Sequence, residues 1–176
     1  KDVLNRYYQA AKKFKIKNIV RITSDCPLLD PEVVDNLIKQ FRLKKNISYA
    51  SNTIKPSYPD GQDVEIFDFE TLREANFKAK YKSDKEHVTP YITRSKNIQK
   101  LNISLKKNYS HLRITLDTVY DFNIIQKILR YFKNNIYVKL DQILNLYERD
   151  KNFFEQNSNM KRNLNTNLNI GQKTWI

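Results

Sequence analysis

The sequence has 176 residues, of which 40% are hydrophobic, and it carries a formal net charge of +13. This is enough for one domain with a buried core, and no apolar run approaches the roughly 20 residues that span a bilayer. One cysteine excludes an internal disulfide. We therefore expect a cytoplasmic protein without a membrane partner. Because the lysines are spread in pairs, we favour a solvated basic surface over a nucleic-acid interface.

The first half of the chain alternates helix and strand patterns. Apolar residues at three- and four-residue spacing predict a helix over 3–14 capped by Asp2. A second predicted helix starts at Asp30-Pro31, with aspartate as the cap and proline at the first helical position. Three short strands are predicted, at 18–23, 47–51 and 63–68. The turn Pro59-Asp60-Gly61 lies in the loop before the last strand.

The second half continues this alternation. Helices are predicted over 69–79 and 84–93, the second of them broken or started near Pro90. Strands over 98–105 and 111–116 follow and could pair as a hairpin. Thr118 is the predicted cap of a helix, and a final helix is predicted over 139–154. The predicted buried stripe of the Thr118 helix is Phe122, Ile125, Leu129 and Phe132.

Alternating helices and strands predict an α/β domain with a largely parallel sheet and flanking crossover helices. We assign residues 1–155 to this domain. From about Gln156 the sequence is polar and rich in asparagine, so we expect residues 156–176 to be a flexible tail or an interdomain linker.

Two aspartates follow predicted strands. Asp25 comes after the strand that ends near residue 23, and Asp117 comes after the strand over 111–116. If both strands run the same way, both carboxylates reach the same edge of the sheet, where two carboxylates suit Mg²⁺. For either aspartate alone, a simple cap of the turn or helix that follows it is the favoured interpretation, and the occurrence of the pair strengthens the case for a metal. Spacing alone leaves the two interpretations open.

Four segments, in this order, resemble a known family: DVLNRYYQAAKKFKIKNIVRITSDCPLLDPEVVDNLI, YPDGQDVEIFDFETLREA, SDKEHVTPYI and LRITLDTVYDFNIIQKI. They resemble the cytidylyltransferases that activate acidic sugars, such as the acylneuraminate and 3-deoxy-manno-octulosonate enzymes. The branch named after spore coat polysaccharide biosynthesis protein F is the most similar. The resemblance implies a Rossmann-like nucleotidyltransferase fold over about residues 1–150. It implies transfer of CMP from CTP to an acidic sugar, with release of pyrophosphate, for surface polysaccharide biosynthesis.

The resemblance also implies roles for individual residues. Asp25 and Asp117 match the family's metal-binding aspartates and would hold Mg²⁺ as the catalytic pair. Nine residues are candidates for substrate binding: Arg21, Ser24, Tyr58, Asp60, Gln62, Asp63, Glu65, Glu86 and His87. For Tyr58, Asp60 and Gln62, turn chemistry is an equal alternative. A structural role is the alternative for His87, and we expect Cys26 to be packed rather than reactive.

One family feature does not occur in the sequence: a glycine- and arginine-rich loop ending in lysine, which holds the nucleotide. The chain starts at Lys1 and has its one methionine at Met160. We therefore expect an N-terminally truncated piece that alone neither binds CTP tightly nor turns over. NIGQKTWI at 169–176 resembles the lead-in to a class III aminotransferase, which predicts a fused C-terminal aminotransferase domain.

Two other functions remain as alternatives. The first is a nucleotide-sugar glycosyltransferase of related fold, for which a D-x-D pair would be expected, but residues 23–27 contain only one aspartate. The second is a basic nucleic-acid-binding module, which salt-sensitive binding would reveal. The sequence does not identify the sugar, and it leaves the oligomeric state open, a homodimer included.

Overall fold

A computed structural model of the chain describes residues 2–158. The chain forms two compact units that alternate along the sequence. Of the described residues, unit 1 contains 2–21, 35–55 and 64–103, and unit 2 contains 22–34, 56–63 and 104–158. Nearly all of the formal net charge lies in unit 1, because acidic and basic residues almost balance in unit 2.

Unit 1 contains a four-stranded sheet, counted over the described residues, in the order β1-β3-β2-β4. Its strands are β1 (Asn18–Arg21), β2 (Tyr49–Ser51), β3 (Glu65–Asp68) and β4 (Lys100–Asn102). β3 is antiparallel to both β1 and β2, and β2 is parallel to β4. The α/β prediction is confirmed, but the sheet is mixed rather than largely parallel. The reason is that β2 joins β3 through a loop, without the crossover helix that parallel neighbours need.

Several helices of unit 1 contribute residues to one apolar cluster. The bounds are α1 (Val3–Lys13), α3 (Phe69–Lys78), α4 (Lys82–His87) and α5 (Pro90–Arg94), while α2 (Pro31–Leu43) belongs to this unit from Asp35 onward. The predicted cap is present, since the Asp2 carboxylate accepts from Asn5 N at 2.9 Å. The buried cluster is formed by Leu4, Tyr8, Ala11, Tyr49, Phe67, Leu72, Ala75, Val88, Ile92 and Ile98.

Strand β1 is shorter and less buried than predicted. It ends at Arg21 rather than residue 23, and its residues alternate between exposed and half-buried. Among the described strands it pairs only with β3, so it is an edge strand, and Val20 is 36% exposed. The sequence pattern alone predicts that this β-branched strand is buried. Its position at the edge of the sheet explains why it is exposed.

Unit 2 is helical over its described residues. It contains α6 (Val119–Tyr131), α7 (Leu140–Arg149) and a 3₁₀ helix (Lys151–Asn157). Its core is formed by Leu28, Leu112, Ile114, Ile124, Ile125, Ile128, Val138, Ile143, Leu146, Phe153 and Phe154. The predicted stripe of α6 was partly wrong: Phe122 is 46% exposed, whereas Ile124 and Ile128 are fully buried.

The predicted hairpin of 98–105 with 111–116 does not form. β4 pairs with β2, and residues 111–116 carry only an isolated parallel bridge between Arg113 and Asp60. The final predicted helix is split, because Asp150 ends α7 and accepts from Phe153 N to cap the 3₁₀ helix. The tail over 156–176 lies largely outside the described residues, as does the aminotransferase-like segment at 169–176. Of the helices within residues 2–158, none combines the length and apolar character needed to cross a bilayer.

Candidate functional site

Arg113 is the centre of a buried ion-pair cluster in unit 2. Its side chain is 2% exposed, and each guanidinium nitrogen donates to a carboxylate. Nε donates to Asp121 at 2.9 Å, and Nη1 donates to Asp60 at 2.7 Å. Nη2 donates to Asp117 at 2.6 Å. We call these four residues the Arg113 cluster. Because one cation faces three carboxylates, the cluster retains excess negative charge.

Asp121 joins this cluster to the start of α6. Its side chain is fully buried and accepts from Arg113 and from the backbone and hydroxyl of Thr118. Burial would raise the pKa of Asp121, but hydrogen bonds from Arg113, Asn157 and Thr118 hold it below its usual value. Burial would likewise lower the pKa of Arg113, and its carboxylate partners raise it. Both groups are therefore charged. Thr118 is confirmed as the helix cap, because its hydroxyl accepts from Asp121 N, and the ion pair adds an ionic role to that end of α6.

Asp25 is tied to the segment that precedes Asp117. Its backbone oxygen accepts from Leu116 N at 2.8 Å and from Thr115 Oγ1 at 2.9 Å. Both aspartates are half-buried and lie in unit 2. These bonds bring together two segments of the chain that are far apart in sequence, since Thr115 and Asp25 are separated by about ninety positions.

The donor set near Asp25 and Asp117 fits Mg²⁺. Carboxylate oxygens are the ligands that this ion prefers, and it usually takes only one or two of them from a protein. Within the described residues there is no group of three or more histidine, cysteine, aspartate or glutamate side chains arranged for a metal. The excess negative charge of the Arg113 cluster also favours a cation there.

The PDGQ turn supports the loop behind Asp25. Gln62 is fully buried; its Nε2 donates to Leu28 O at 2.6 Å, and its Oε1 accepts from Asp30 N at 3.0 Å. Tyr58 is also buried. The contacts of Gln62 therefore favour the turn-chemistry alternative for this residue, because both ends of its amide hold the loop in place. Asp60 has an ionic partner in Arg113.

Ser24, Cys26 and Asp63 lie in the same unit as the two aspartates. Ser24 is exposed and Asp63 is half-buried. Burial raises the pKa of the Cys26 thiol to about 12, and the charges of Asp25 and Asp63 add to the shift. The thiol therefore stays protonated near neutral pH, as expected for a packed cysteine. Ser24 and Asp63 are the substrate-binding candidates of unit 2 that remain accessible.

Arg21 and Glu65 form a separate network in unit 1. Arg21 Nη1 donates to Glu65 Oε2 at 2.5 Å, and Tyr49 donates to Glu65 Oε1 at 2.6 Å. Burial, together with the Glu65 charge, raises the pKa of Tyr49. Arg21 Nε is buried without a partner among the described residues. The network accounts for the burial of Glu65, because both of its carboxylate oxygens have a hydrogen-bond donor.

Glu86 and His87 are at the end of α4, also in unit 1. Glu86 is exposed and His87 is half-buried. The next residue, Val88, is fully buried and has a positive φ of 73°, with Thr89 N donating to His87 O at 2.8 Å. A β-branched residue is rarely found in such a γ-turn, so this backbone is strained. Strain of this kind is typical of functional segments, and it falls in the EHVTP motif that the resemblance singles out.

Sequence reasoning missed Arg113, Asp121 and Asn157. In LRITL, Arg113 is flanked directly by an apolar residue on each side, and an arginine is unusual in such a core segment. That anomaly was the available signal for a buried ion pair. Nothing local marked Asn157, whose amide donates to Asp121 Oδ1 at 2.9 Å and to Arg113 O at 3.1 Å.

The sequence profile of a cytidylyltransferase family matches residues 1–164 of the chain. The protein belongs to the cytidylyltransferase family. This match confirms the family-level resemblance, while the particular branch stays a prediction.

Two relatives extend the comparison. An uncharacterized protein from Methanocaldococcus jannaschii is 35% identical over 180 residues, which cover 99% of this chain and 67% of the relative. The solved structure of a cytidylyltransferase from Leptospira borgpetersenii serovar Hardjo-bovis matches with a TM-score of 0.82 at 24% identity. That match covers 88% of this chain and 65% of the solved one. The chain thus shares the fold of the solved cytidylyltransferase and spans about two thirds of the length of both relatives.

Proposed function

We propose that this cytidylyltransferase-family protein transfers CMP from CTP to a hydroxyl of an acidic sugar, with release of pyrophosphate, and that the reaction depends on Mg²⁺. We further propose that the activated sugar is used for a surface polysaccharide and that the reaction is cytoplasmic. The observation that carries the proposal is the main-chain tie between Asp25 and the residues preceding Asp117. In this member of the family, the tie joins the chain segments that contain Asp25 and Asp117, which are both half-buried and both in unit 2.

The proposed division of roles follows from the contacts of each residue. Asp25 and Asp117 would hold the metal, which when bound neutralises charge on the triphosphate and positions the α-phosphate for attack. Arg113 holds the carboxylate of Asp117 at 2.6 Å, so this ligand is oriented before substrate arrives. Ser24 and Asp63 are the unit 2 side chains that we propose for contact with the sugar.

The remaining candidates divide into two groups. Both ends of the Gln62 amide form hydrogen bonds with the loop over 28–30. We therefore propose that Gln62 supports the site without contacting substrate. Glu86 and His87 remain candidates for sugar binding, on the resemblance and on the strained turn at Val88. Arg21 and Glu65 are paired with each other within unit 1, and we propose that this ion pair holds both side chains in fixed positions.

The proposal is tested with purified protein, CTP, MgCl₂ and a panel of acidic sugars, with pyrophosphate and CMP-sugar as the readouts. Because the chain spans about two thirds of the length of both relatives, the assay compares the product of the complete gene with residues 1–176. We expect Mg²⁺-dependent CMP-sugar formation by the complete product and none by residues 1–176. Asp25→Asn and Asp117→Asn should each lower the rate by about 10²–10³-fold.

Three results would count against the proposal. If the complete product releases no pyrophosphate with any acidic sugar, the proposed reaction is wrong. Equal turnover with and without a metal chelator would contradict the proposed dependence on Mg²⁺. Full activity of Asp117→Asn would contradict the role assigned to Asp117. Asp141→Asn is the matched control, because this exposed aspartate lies in α7 of the same unit, outside the Arg113 cluster.

A further inference from the structure

The 3₁₀ helix at the end of the described chain reaches the Arg113 cluster through one side chain. Asn157 is 2% exposed, and its Nδ2 donates to Asp121 Oδ1 at 2.9 Å and to Arg113 O at 3.1 Å. A single amide group therefore joins a carboxylate on α6 to the main chain of the segment over 111–116. Its neighbours Asn152 and Glu155 in the same helix are exposed.

Asp121 passes this restraint on to Asp117 by two routes. Its Oδ2 accepts from the backbone N–H of Asp117 at 3.2 Å and from Arg113 Nη2 at 3.0 Å. The same Nη2 donates to the Asp117 carboxylate at 2.6 Å. Both the backbone and the side chain of Asp117 are thus held by groups whose positions depend on Asp121.

We propose that Asn157 is a positioning residue for the carboxylate of Asp117, acting through Asp121 and Arg113 on divalent-cation binding. The proposal rests on the metal role of Asp117 in the proposed function. Groups that orient a metal ligand from behind typically change metal affinity by 10–100-fold when they are removed. Because Asn157 bonds to Asp121 and to the main chain of Arg113, it acts on Asp117 indirectly, and its effect is expected at the lower end of that range.

The test measures Mn²⁺ binding to residues 1–176 by electron paramagnetic resonance of the free ion, with Mn²⁺ as a probe for Mg²⁺. Asn157→Ala removes the amide, and Asn157→Leu removes it while nearly keeping the volume, so the test survives if one variant does not fold. Asn157→Gln keeps an amide for partial rescue. Asn152→Ala is the matched control in the same helix, and Ile143→Val controls for lost stability, because it trims the core of the same unit.

We expect about tenfold weaker Mn²⁺ binding for Asn157→Ala and Asn157→Leu, and wild-type binding for Asn152→Ala and Ile143→Val. Asp117→Asn should abolish Mn²⁺ binding at this site, which leaves the free-ion signal undiminished. If Asp117→Asn loses binding while both Asn157 variants bind like wild type, the positioning role is overturned and the proposed metal site stands. If wild type does not bind, or if Asp117→Asn binds equally well, the metal site itself is overturned and the positioning role with it.

Discussion

Arg113 and Asp121 meet through two parallel hydrogen bonds, from Nε at 2.9 Å and from Nη2 at 3.0 Å, with both side chains buried. Such forked pairs combine strength with fixed geometry. The pair sits between the start of α6 and the segment over 111–116, so it fixes how these two parts of unit 2 meet. Removing this ion pair should lower the free energy of unfolding and should also alter the geometry of the candidate metal site.

The first prediction concerns Arg113→Met. This change leaves three carboxylates around an uncharged side chain, and breaking a buried ion pair by removing one partner typically costs about 3–5 kcal/mol. We expect the free energy of unfolding, measured by urea denaturation, to fall by that amount. Arg149→Met is the control, because Arg149 is exposed at the end of α7. A loss below about 1 kcal/mol would show that the carboxylates find other compensation.

The second prediction concerns Asp30, which caps two helices. Its Oδ1 accepts from Glu32 N at 2.8 Å at the start of α2, and its Oδ2 accepts from Leu140 N at 2.7 Å at the start of α7. One cap contributes about 0.5–2 kcal/mol, so Asp30→Ala should cost about twice that of a single cap. Asp2→Ala, which removes a single cap from α1, is the matched comparison in thermal and urea unfolding. Equal losses for the two variants would contradict the double cap.

The third prediction concerns Gly61, which has a φ of +102°. A Cβ at this position would lie 2.6 Å from the carbonyl carbon of Ile114, so both the backbone angle and the space require glycine. We expect Gly61→Ala to destabilise by more than the roughly 1–3 kcal/mol of a strained backbone, because the clash also pushes Asp60 away from Arg113. Amide hydrogen exchange at 60 and 114 would report this displacement.

Lys15→Gly is the control for this prediction. Lys15 is exposed and has a φ of 53°, so glycine relieves strain there without losing contacts. We expect Lys15→Gly to be neutral or slightly stabilising. If Gly61→Ala were equally neutral, the close approach of the turn to the segment over 111–116 would be wrong.

The fourth prediction concerns pH. Burial opposes ionisation of Asp121, but its hydrogen bonds with Arg113, Asn157 and Thr118 prevail and hold its pKa below the usual 3.8. A carboxyl whose pKa is lower in the folded state stabilises the fold above the unfolded pKa, and this contribution is lost as the pH falls through the folded pKa. We therefore expect an acid-dependent loss of stability that begins near the usual value of 3.8 and continues below it.

Asp121→Asn isolates the contribution of Asp121 to this loss, since other carboxyls also titrate in acid. The variant should be less stable than wild type at neutral pH, and its stability should fall less steeply in acid, when urea midpoints are compared over both ranges. Parallel curves for the two proteins would show that Asp121 keeps the same pKa after unfolding.

The positions of most helices were determined by local sequence. The caps Asp2, Asp30 and Thr118 and the proline at position 31 mark helix starts that the structure contains. These signals work because a cap and its target N–H groups lie within a few residues of one another. The family motifs were equally local, and the match over 1–164 confirms the family that they indicated.

Tertiary structure alone decided the sheet and the partners of the buried charges. No local pattern could place β3 between β1 and β2, because strand pairing joins residues far apart in sequence. The same holds for Arg113, whose partner Asp60 is 53 positions away, and for Asn157, which is 36 positions from Asp121. The sequence could name Asp25 and Asp117 as candidates. Only the folded chain could decide which groups surround them, because burial and long-range hydrogen bonds arise only when distant segments of the chain fold together.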